Sequence, residues 1–204
     1  RAVVLVHGFL VGGWSMRWLG RRLKALGFEP VYFSYASRQT SVSVAANDLW
    51  QFCRQIHATE LHLIGHSLGG LVILDMLSRF NTKDLPRGHL VLLGSPVQGS
   101  SAAKGLAAYR WGSWLLGKAA DVLGVGSSFL PTDRHTTVIA GVHGMGMGRF
   151  FAPLPMPHDG TVAVNETKLS GADWLSVSAS HSGLLVSSDV FSYIKRILTE
   201  AHVD

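Results

Sequence analysis

The sequence predicts an α/β protein with a mostly parallel six-stranded sheet, flanking helices and one helical insertion. Short apolar runs rich in β-branched residues alternate with segments of helical periodicity, which is typical of strands joined by helical crossovers. Hydrophobic residues make up 47% of the 204 residues and charged residues only 15%, so the chain can fill a large core. This length fits one domain, and we interpret residues 1–204 as a single domain.

The elements can be placed in order along the chain. Residues 2–6 are apolar on both faces, as expected of a buried parallel strand. Apolar residues at 42, 45, 49, 52 and 56 have helical spacing, and residues 71–77 are apolar nearly all round, which predicts a helix buried against the sheet. The predicted strands are 2–6, 30–35, 61–64, 89–93, 137–140 and 174–177, and the predicted helices are 15–26, 42–56, 71–77 and 190–198.

Two segments interrupt this alternation. Residues 97–130 are rich in Ala, Gly, Trp and Leu and are too long for a simple crossover, so we interpret them as an insertion within the domain. Residues 145–158 are dense in Gly, Pro and Met, which predicts an irregular loop.

Charge and composition exclude several classes of function. The formal net charge of +5 favours anionic partners such as membrane surfaces or nucleic acid, but no zinc-finger or RNA-binding signature accompanies it, so we expect no nucleic-acid partner. Arg17, Arg21 and Lys24 are interpreted as a solvated helix face. The single cysteine and the scattered histidines provide no metal-ligand spacing, and residues 141–148 lack the Gly-Lys-Ser/Thr of a phosphate loop. We therefore expect neither a metal nor a cofactor.

The sequence leaves the cellular compartment open. No apolar run approaches the roughly 18 residues that a membrane span needs, and no signal peptide is visible. A chain trimmed at its amino terminus would look the same. On these observations the cytoplasm is favoured, and the oligomeric state is left open.

A nucleophile motif lies between the third predicted strand and the helix that follows it. Gly65-His66-Ser67-Leu68-Gly69 stands in the strand–turn–helix context of a nucleophile elbow. In so tight a turn, bulky neighbours would collide with the adjoining strand and helix, and the glycines at 65 and 69 remove that collision. The alternative is a structural turn with an incidental serine. We predict that Ser67 is the nucleophile.

On this motif and the order of its elements, nearly the whole chain resembles an α/β-hydrolase. Within that superfamily it resembles small single-domain bacterial serine lipases and esterases, in the lipase-like group that includes GPI inositol deacylases. The resemblance implies a minimal α/β-hydrolase fold, a serine nucleophile, an acid after a later strand and a histidine after the last strand.

The base and the acid are assigned by chain order. Serine needs an adjacent base, and His181 lies just past the last predicted strand. Asp159, in a short Asp-Gly-Thr-Val motif similar to the family's acid loop, precedes that strand and would hold the imidazole. None of the other candidates occupies the corresponding position after or before the last strand. The rival base candidates are His135, His143 and His158, and the rival acid is Asp133.

The resemblance also implies an oxyanion hole and a cap. Its donors would be the backbone N–H groups of Phe9, after the first strand, and Leu68. His7 is interpreted as bonded to backbone. In this family, insertions after the fourth strand often cover the site, so Trp111 and Trp114 in segment 97–130 are candidate lid or substrate residues. The alternative is a pair of surface helices that pack an apolar stripe on the core.

These residues predict a serine hydrolase that cleaves carboxylic esters through an acyl-enzyme on Ser67. The expected substrate is a small-molecule or lipid ester, with transient contact to a lipid surface as a further expectation. Two alternatives stay open: an acyltransferase with the same triad, and a catalytically silent binding protein on the hydrolase fold. Sequence does not separate an ester from a thioester or an amide.

Overall fold

The computed structural model describes residues 1–144 and 154–199. Most of the predicted loop 145–158 lies outside the described residues. The described chain forms one six-stranded sheet in the order β2-β1-β3-β4-β5-β6, and every pairing is parallel. The strands are β1 Ala2–Val6, β2 Glu29–Phe33, β3 Leu61–His66, β4 Leu90–Leu93, β5 Thr136–Gly141 and β6 Asp173–Val177. The predicted fold class is therefore confirmed.

The helices cover both faces of the sheet. They are α1 Arg17–Ala25, α2 Val42–Arg54, α3 Leu68–Arg79, α4 Ser101–Ala107, α5 Arg110–Leu116, α6 Ala120–Val125 and α7 Ser188–Thr199. One core cluster joins alternate strand residues such as Val4 and Leu63 to α2, α3 and the insertion helices. The other joins the intervening residues such as Leu5 and Ile64 to α1 and α7. No helix among the described residues is long and apolar enough to span a bilayer.

The ends of the elements differ from the predicted ones for local reasons. The first helix was expected from residue 15, but a 3₁₀ turn, Gly13–Met16, precedes it. Helix α3 begins at Leu68, three residues before the predicted start, because Ser67 alone forms the turn. The residues before the predicted start include Gly69 and Gly70, which weaken a helical pattern in the sequence.

The insertion is more regular than its composition indicates. Residues 97–130 contain the short helices α4, α5 and α6. Leu106, Leu116 and Leu123, one from each helix, are buried in the core cluster on the α2 and α3 face. The insertion is therefore packed on the body of the domain.

Candidate active site

A single residue, Ser67, separates strand β3 from helix α3. Its φ of 54° and ψ of −123° lie where serine is rarely found, a conformation that costs about 1–3 kcal/mol. Ser67 N–H donates to Leu93 O at 2.9 Å, and Ser67 O accepts from Gly70 N–H at 3.1 Å. These bonds tie the turn to β4 and to the first turn of α3, and they hold Ser67 at the carboxyl end of a central strand.

Close backbone approach on both sides of this turn requires glycine. A Cβ on Gly65 would lie 2.6 Å from Gly70 Cα, and a Cβ on Gly69 would lie 2.5 Å from His7 O. Atoms do not approach so closely without displacing the backbone. The strand, the turn and the helix thus meet at a density that only glycine allows.

Asp159 and His181 form a hydrogen-bonded pair at the same edge of the sheet. Asp159 precedes β6 in the chain and His181 follows it, and His181 Nδ1 lies 2.7 Å from Asp159 Oδ2. The other carboxylate oxygen, Oδ1, accepts from Thr161 N–H at 2.9 Å and Val162 N–H at 2.8 Å. A further bond runs from His181 N–H to Asp159 O at 3.0 Å. Four hydrogen bonds therefore fix the pair.

The environment keeps this carboxyl group ionised. Burial by itself would raise the pKa of Asp159, but the adjacent His181 charge, its hydrogen bond and the two backbone donors outweigh burial and lower the pKa. An ionised carboxylate holds the proton of the imidazole on Nδ1, which leaves Nε2 as the nitrogen that can accept a proton. This orientation is the one that the predicted role of His181 as the base requires.

The hydrogen bonds of the described residues include none between Ser67 Oγ and His181. Such a bond often tightens only when substrate binds. The two residues are linked instead through His66, which precedes Ser67 and contacts His181. The structure brings Ser67, His181 and Asp159, the predicted nucleophile, base and acid, to one edge of the sheet.

His66 contributes a contact that the sequence does not reveal. Its Nε2 lies 3.0 Å from His181 O, and since a carbonyl only accepts, Nε2 donates. Burial, with the nearby charge of His181 as the next cause, lowers the pKa of His66 to about 3, so the ring is neutral. Its Nδ1 is buried without a hydrogen-bond partner in the described chain. The only signal in the sequence was its place before Ser67.

The loop after β1 lies beside Ser67. A Cβ on Gly8 would lie 3.0 Å from Ser67 Cβ. His7 Nδ1 donates to Gly8 O at 2.8 Å, and its Nε2 accepts from Tyr35 N–H at 3.2 Å. Both ring nitrogens of His7 therefore bond to the backbone and hold this loop in place. Among the backbone hydrogen bonds of turns, loops and helix caps in the described chain, none is donated by the N–H of Phe9 or of Leu68.

Gly94, directly after β4, lies against the back of the Asp159–His181 pair. Its φ is +55°, and a Cβ there would lie 3.2 Å from both Asp159 Oδ2 and His181 Nδ1. Sequence reasoning missed this residue, because its closeness to the pair depends on the pairing of β4 with β5. A lone glycine after a strand carries no such information.

Glu166 ties the insertion to the acid loop. Its Oε2 accepts from Ala163 N–H at 2.9 Å, within the Asp159 loop, and its Oε1 accepts from Ser101 N–H at 2.6 Å, at the start of α4. Glu166 is buried, and sequence reasoning missed it as well. The start of the insertion is thereby fixed beside the candidate site.

Trp111 and Trp114 lie on the outer side of the insertion. Their side chains are 54% and 67% exposed, whereas Leu116 on the same helix is buried. The leucines of the insertion thus pack on the core, and the tryptophans face outward.

The rival residues have other surroundings. Asp133 and His135 precede β5, at the opposite edge of the sheet, where they line the same cleft. His158 Nδ1 accepts from Gly160 N–H at 3.0 Å and caps its own loop, and His143 is exposed. Within residues 1–144 and 154–199, no three His, Cys, Asp or Glu side chains come together as metal ligands.

Comparison with solved structures identifies the fold. The mature form of the Bacillus licheniformis lipase BlEst2 is 20% identical, with a TM-score of 0.81 over 98% of this chain and 92% of that one. The metagenomic carboxyl esterase MGS0156 is 15% identical, with a TM-score of 0.70 over 88% of this chain and 64% of that one. A lipase-esterase related protein from Clostridium acetobutylicum is 12% identical, with a TM-score of 0.70 over 97% of this chain and 94% of that one.

No family model matches the chain, and no curated protein matches it in sequence. The structural matches confirm the resemblance: the chain has an α/β-hydrolase fold of the kind found in bacterial lipases and esterases.

Proposed function

We propose that the protein is a serine hydrolase that cleaves carboxylic esters. The observation that carries this proposal is the buried Asp159–His181 pair beside a strained Ser67 on the strand–turn–helix elbow. A complete set of nucleophile, base and acid at one edge is unnecessary in a silent binding protein. Its neighbours in fold are lipases and esterases, which supports the ester class.

In the proposed reaction Ser67 Oγ attacks the ester carbonyl as its proton passes to His181 Nε2. Asp159 accepts the Nδ1–H bond and stabilises the imidazolium. The oxyanion is held by the N–H groups of Phe9 and Leu68, each contributing about 3 kcal/mol in the transition state. His181 then protonates the leaving alcohol, which yields an acyl-enzyme on Ser67.

Deacylation repeats these steps with water as the nucleophile. His181 takes a proton from water, the hydroxide attacks the acyl carbonyl, and the acid leaves as Ser67 recovers its proton. Every proton is carried by His181, so the mechanism needs no cofactor and no metal.

The insertion 97–130 is proposed as a cap beside this site. Glu166 anchors its first helix to the acid loop, and helix α5 presents Trp111 and Trp114 at its outer surface. If the cap contributes to substrate selection, polar substitution of both tryptophans will change the preference between short and long acyl chains. An unchanged preference would contradict the cap.

The proposal is tested with water-soluble esters and the Ser67→Ala variant. We expect kcat to fall at least about 10³-fold while thermal unfolding stays close to that of the parent protein. Retained turnover would remove Ser67 from the mechanism. Adding competing alcohols and amines separates the two acyl-enzyme reactions, because free acid as the main product supports a hydrolase and acyl transfer supports the acyltransferase.

A further inference from the structure

Exposed apolar side chains are concentrated at the carboxyl edge of the sheet. Of the ten large apolar side chains exposed in the described chain, eight lie between a strand's carboxyl end and the first turn of the next helix or in the insertion, and a ninth, Met156, lies in the long segment between β5 and β6. The tenth, Trp174, is within β6. The nine are Leu10, Trp14, Val44, Tyr109, Trp111, Trp114, Val125, Met156 and Val186. Single exposed apolar residues are ordinary, but such a bias toward one edge indicates a contact surface.

Basic residues are concentrated at the same edge of the sheet. Residues 34–41 and 94–120, which border the candidate site, contain four basic residues and no Asp or Glu, and the first acidic residue after them is Asp121. The basic residues are Arg38, Lys104, Arg110 and Lys118. Of the carboxylates in the loop before β6, Asp159 and Glu166 are buried and bonded to backbone donors.

The basic and apolar groups form one connected surface. The Arg38 guanidinium lies 4.1 Å from the ring centroid of Trp114, and its Nε donates to Trp114 O at 3.3 Å. Lys118 N–H donates to Arg38 O at 3.0 Å. Neighbouring Ser37 accepts from Leu10 N–H at 3.0 Å. We call this surface the basic-aromatic face; it consists of Leu10, Arg38, Tyr109, Trp111, Trp114 and Lys118.

We infer that the basic-aromatic face docks the protein on the surface of an anionic phospholipid layer. Tryptophan and tyrosine favour the headgroup boundary, where an apolar ring meets water, and lysine and arginine are attracted to anionic headgroups. Duplex nucleic acid would match the charge alone, and a single strand would stack on the aromatic rings but would leave the aliphatic Leu10 unused. A lipid surface matches both the charge and the apolar groups.

Docking at this face deepens the proposed function and rests on it. Leu10 follows Phe9 directly, so the face begins one residue from a proposed oxyanion donor. A protein bound through it would hold Ser67 near the ester bonds of lipids in the layer. The substrate class that follows is a lipid ester drawn from an anionic membrane surface.

The test is sedimentation with vesicles, using the Ser67→Ala background so that the lipid is not consumed. We expect binding to phosphatidylcholine vesicles containing about one-third phosphatidylserine, and much weaker binding to phosphatidylcholine alone. Added salt should weaken the binding. Removing two charges with Arg38→Gln and Lys118→Gln should weaken it about 25-fold, since each such cation contributes a factor of about five.

The matched control removes two exposed cations elsewhere. Arg54 ends helix α2 and Arg87 precedes β4, so both belong to the amino edge of the sheet. The Arg54→Gln and Arg87→Gln double variant should bind vesicles as the parent does. Polar substitution of Trp111 and Trp114 should also weaken binding to the vesicles. This loss should depend less on salt concentration than the loss caused by removing Arg38 and Lys118.

Three results would overturn the inference: no binding to anionic vesicles, equal binding to both kinds of vesicle, or equal loss in the control variant. A dimer in solution that the tryptophan substitutions convert to a monomer would assign the face to a second copy instead. Because binding is measured without turnover, these results are independent of the soluble-ester assay that tests the proposed function.

Discussion

The two edges of the sheet each pair a histidine with a carboxylate, and the pairs differ in what they can do. At the carboxyl edge His181 Nδ1 lies 2.7 Å from Asp159 Oδ2, and this carboxylate is 1% exposed. At the amino edge His62 Nε2 lies 3.3 Å from Glu60 Oε2, and that carboxylate is 46% exposed. Distance and burial of the acid separate an oriented pair from a solvated one.

The second nitrogen of each ring completes the contrast. His62 Nδ1 accepts from His89 N–H at 3.1 Å, and in the described chain its Nε2 faces the exposed Glu60 carboxylate without a hydrogen bond and with no serine beside it. His181 keeps Nε2 on the side away from Asp159, and the elbow serine stands at the same edge. A histidine–carboxylate pair therefore becomes a candidate base only where one nitrogen is left for the reaction and a nucleophile lies beside it.

The surroundings follow the same division. The amino edge has a cleft of about 990 Å³ lined by Glu60, Asp133 and Asp173 together with arginines and histidines. At the carboxyl edge Asp159 and Glu166 are buried, Asp189 at the start of α7 is exposed, and the insertion exposes apolar and basic groups. Parallel strands explain the difference in part, since the loops that carry reactive groups leave the carboxyl ends of the strands.

Exchanging the acid tests this contrast with the largest expected effect. Asp159→Asn removes the charge that holds the His181 tautomer, and kcat for a soluble ester should fall about 10⁴-fold. The matched Asp133→Asn variant changes the rival acid at the amino edge and should leave kcat within about twofold. Equal losses in the two variants, or none in Asp159→Asn, would contradict the assignment of the acid.

A methyl group at residue 94 should disturb the pair from behind. Gly94→Ala combines a positive φ with a Cβ 2.8 Å from Leu184 Cδ1 and 3.2 Å from the paired atoms, so we expect kcat to fall about 10- to 100-fold as Leu184 and the pair shift. Gly27→Ala is the control, because Gly27 has φ +87° with no atom within 4 Å of a Cβ. It should lower the free energy of unfolding by about 1 kcal/mol and leave kcat unchanged.

His66 should act as a positioning residue for His181. His66→Leu removes the donor to His181 O and leaves that carbonyl unpaired, so kcat should fall about tenfold with little change in KM. Glutamine can place its amide near Nε2, and His66→Gln should restore most of kcat. Equal loss of kcat in both variants would show that the ring is needed only for packing.

Acid should destabilise the fold by way of two buried histidines, one near each edge. Burial lowers the pKa of His66 to about 3 and that of His62 to about 4, against 6.5 for both when unfolded. Between pH 6.5 and about 4 the unfolded chain binds protons that the folded chain does not. The free energy of unfolding therefore decreases as the pH is lowered through this range, by at most about 1.4 kcal/mol per histidine per pH unit.

Thermal unfolding at pH 7, 6 and 5 measures this loss. The His62→Gln, His66→Gln double variant should show a flatter dependence of the melting temperature on pH than the parent protein. An identical slope in parent and variant would assign the acid sensitivity to other groups.

The sheet was predictable from the sequence because its signals are local. Apolar runs placed all six strands, and helical spacing placed α2 and α7, with errors of at most two residues at their ends. The insertion was not resolved into helices, because α4, α5 and α6 are each seven residues or fewer and each contains a glycine. So short a pattern carries little periodicity.

The candidate site was predictable only where a motif or the chain order marks a residue. The elbow around Ser67 is a local pattern, and Asp159 and His181 came from their order relative to the strands. Gly94, Glu166 and the His66 contact with His181 were missed because each depends on residues brought together from distant parts of the chain. Their own neighbours in sequence carry no trace of these contacts.

The most direct test of an activated Ser67 is the intact mass of the protein after exposure to a fluorophosphonate, with Ser67→Ala alongside. A histidine–carboxylate pair without a serine nucleophile does not react with this probe, whereas a serine activated by His181 does. We predict one stoichiometric adduct on the parent protein and none on the variant. The same adduct on both proteins, or none on a folded parent in the presence of lipid, would contradict the account.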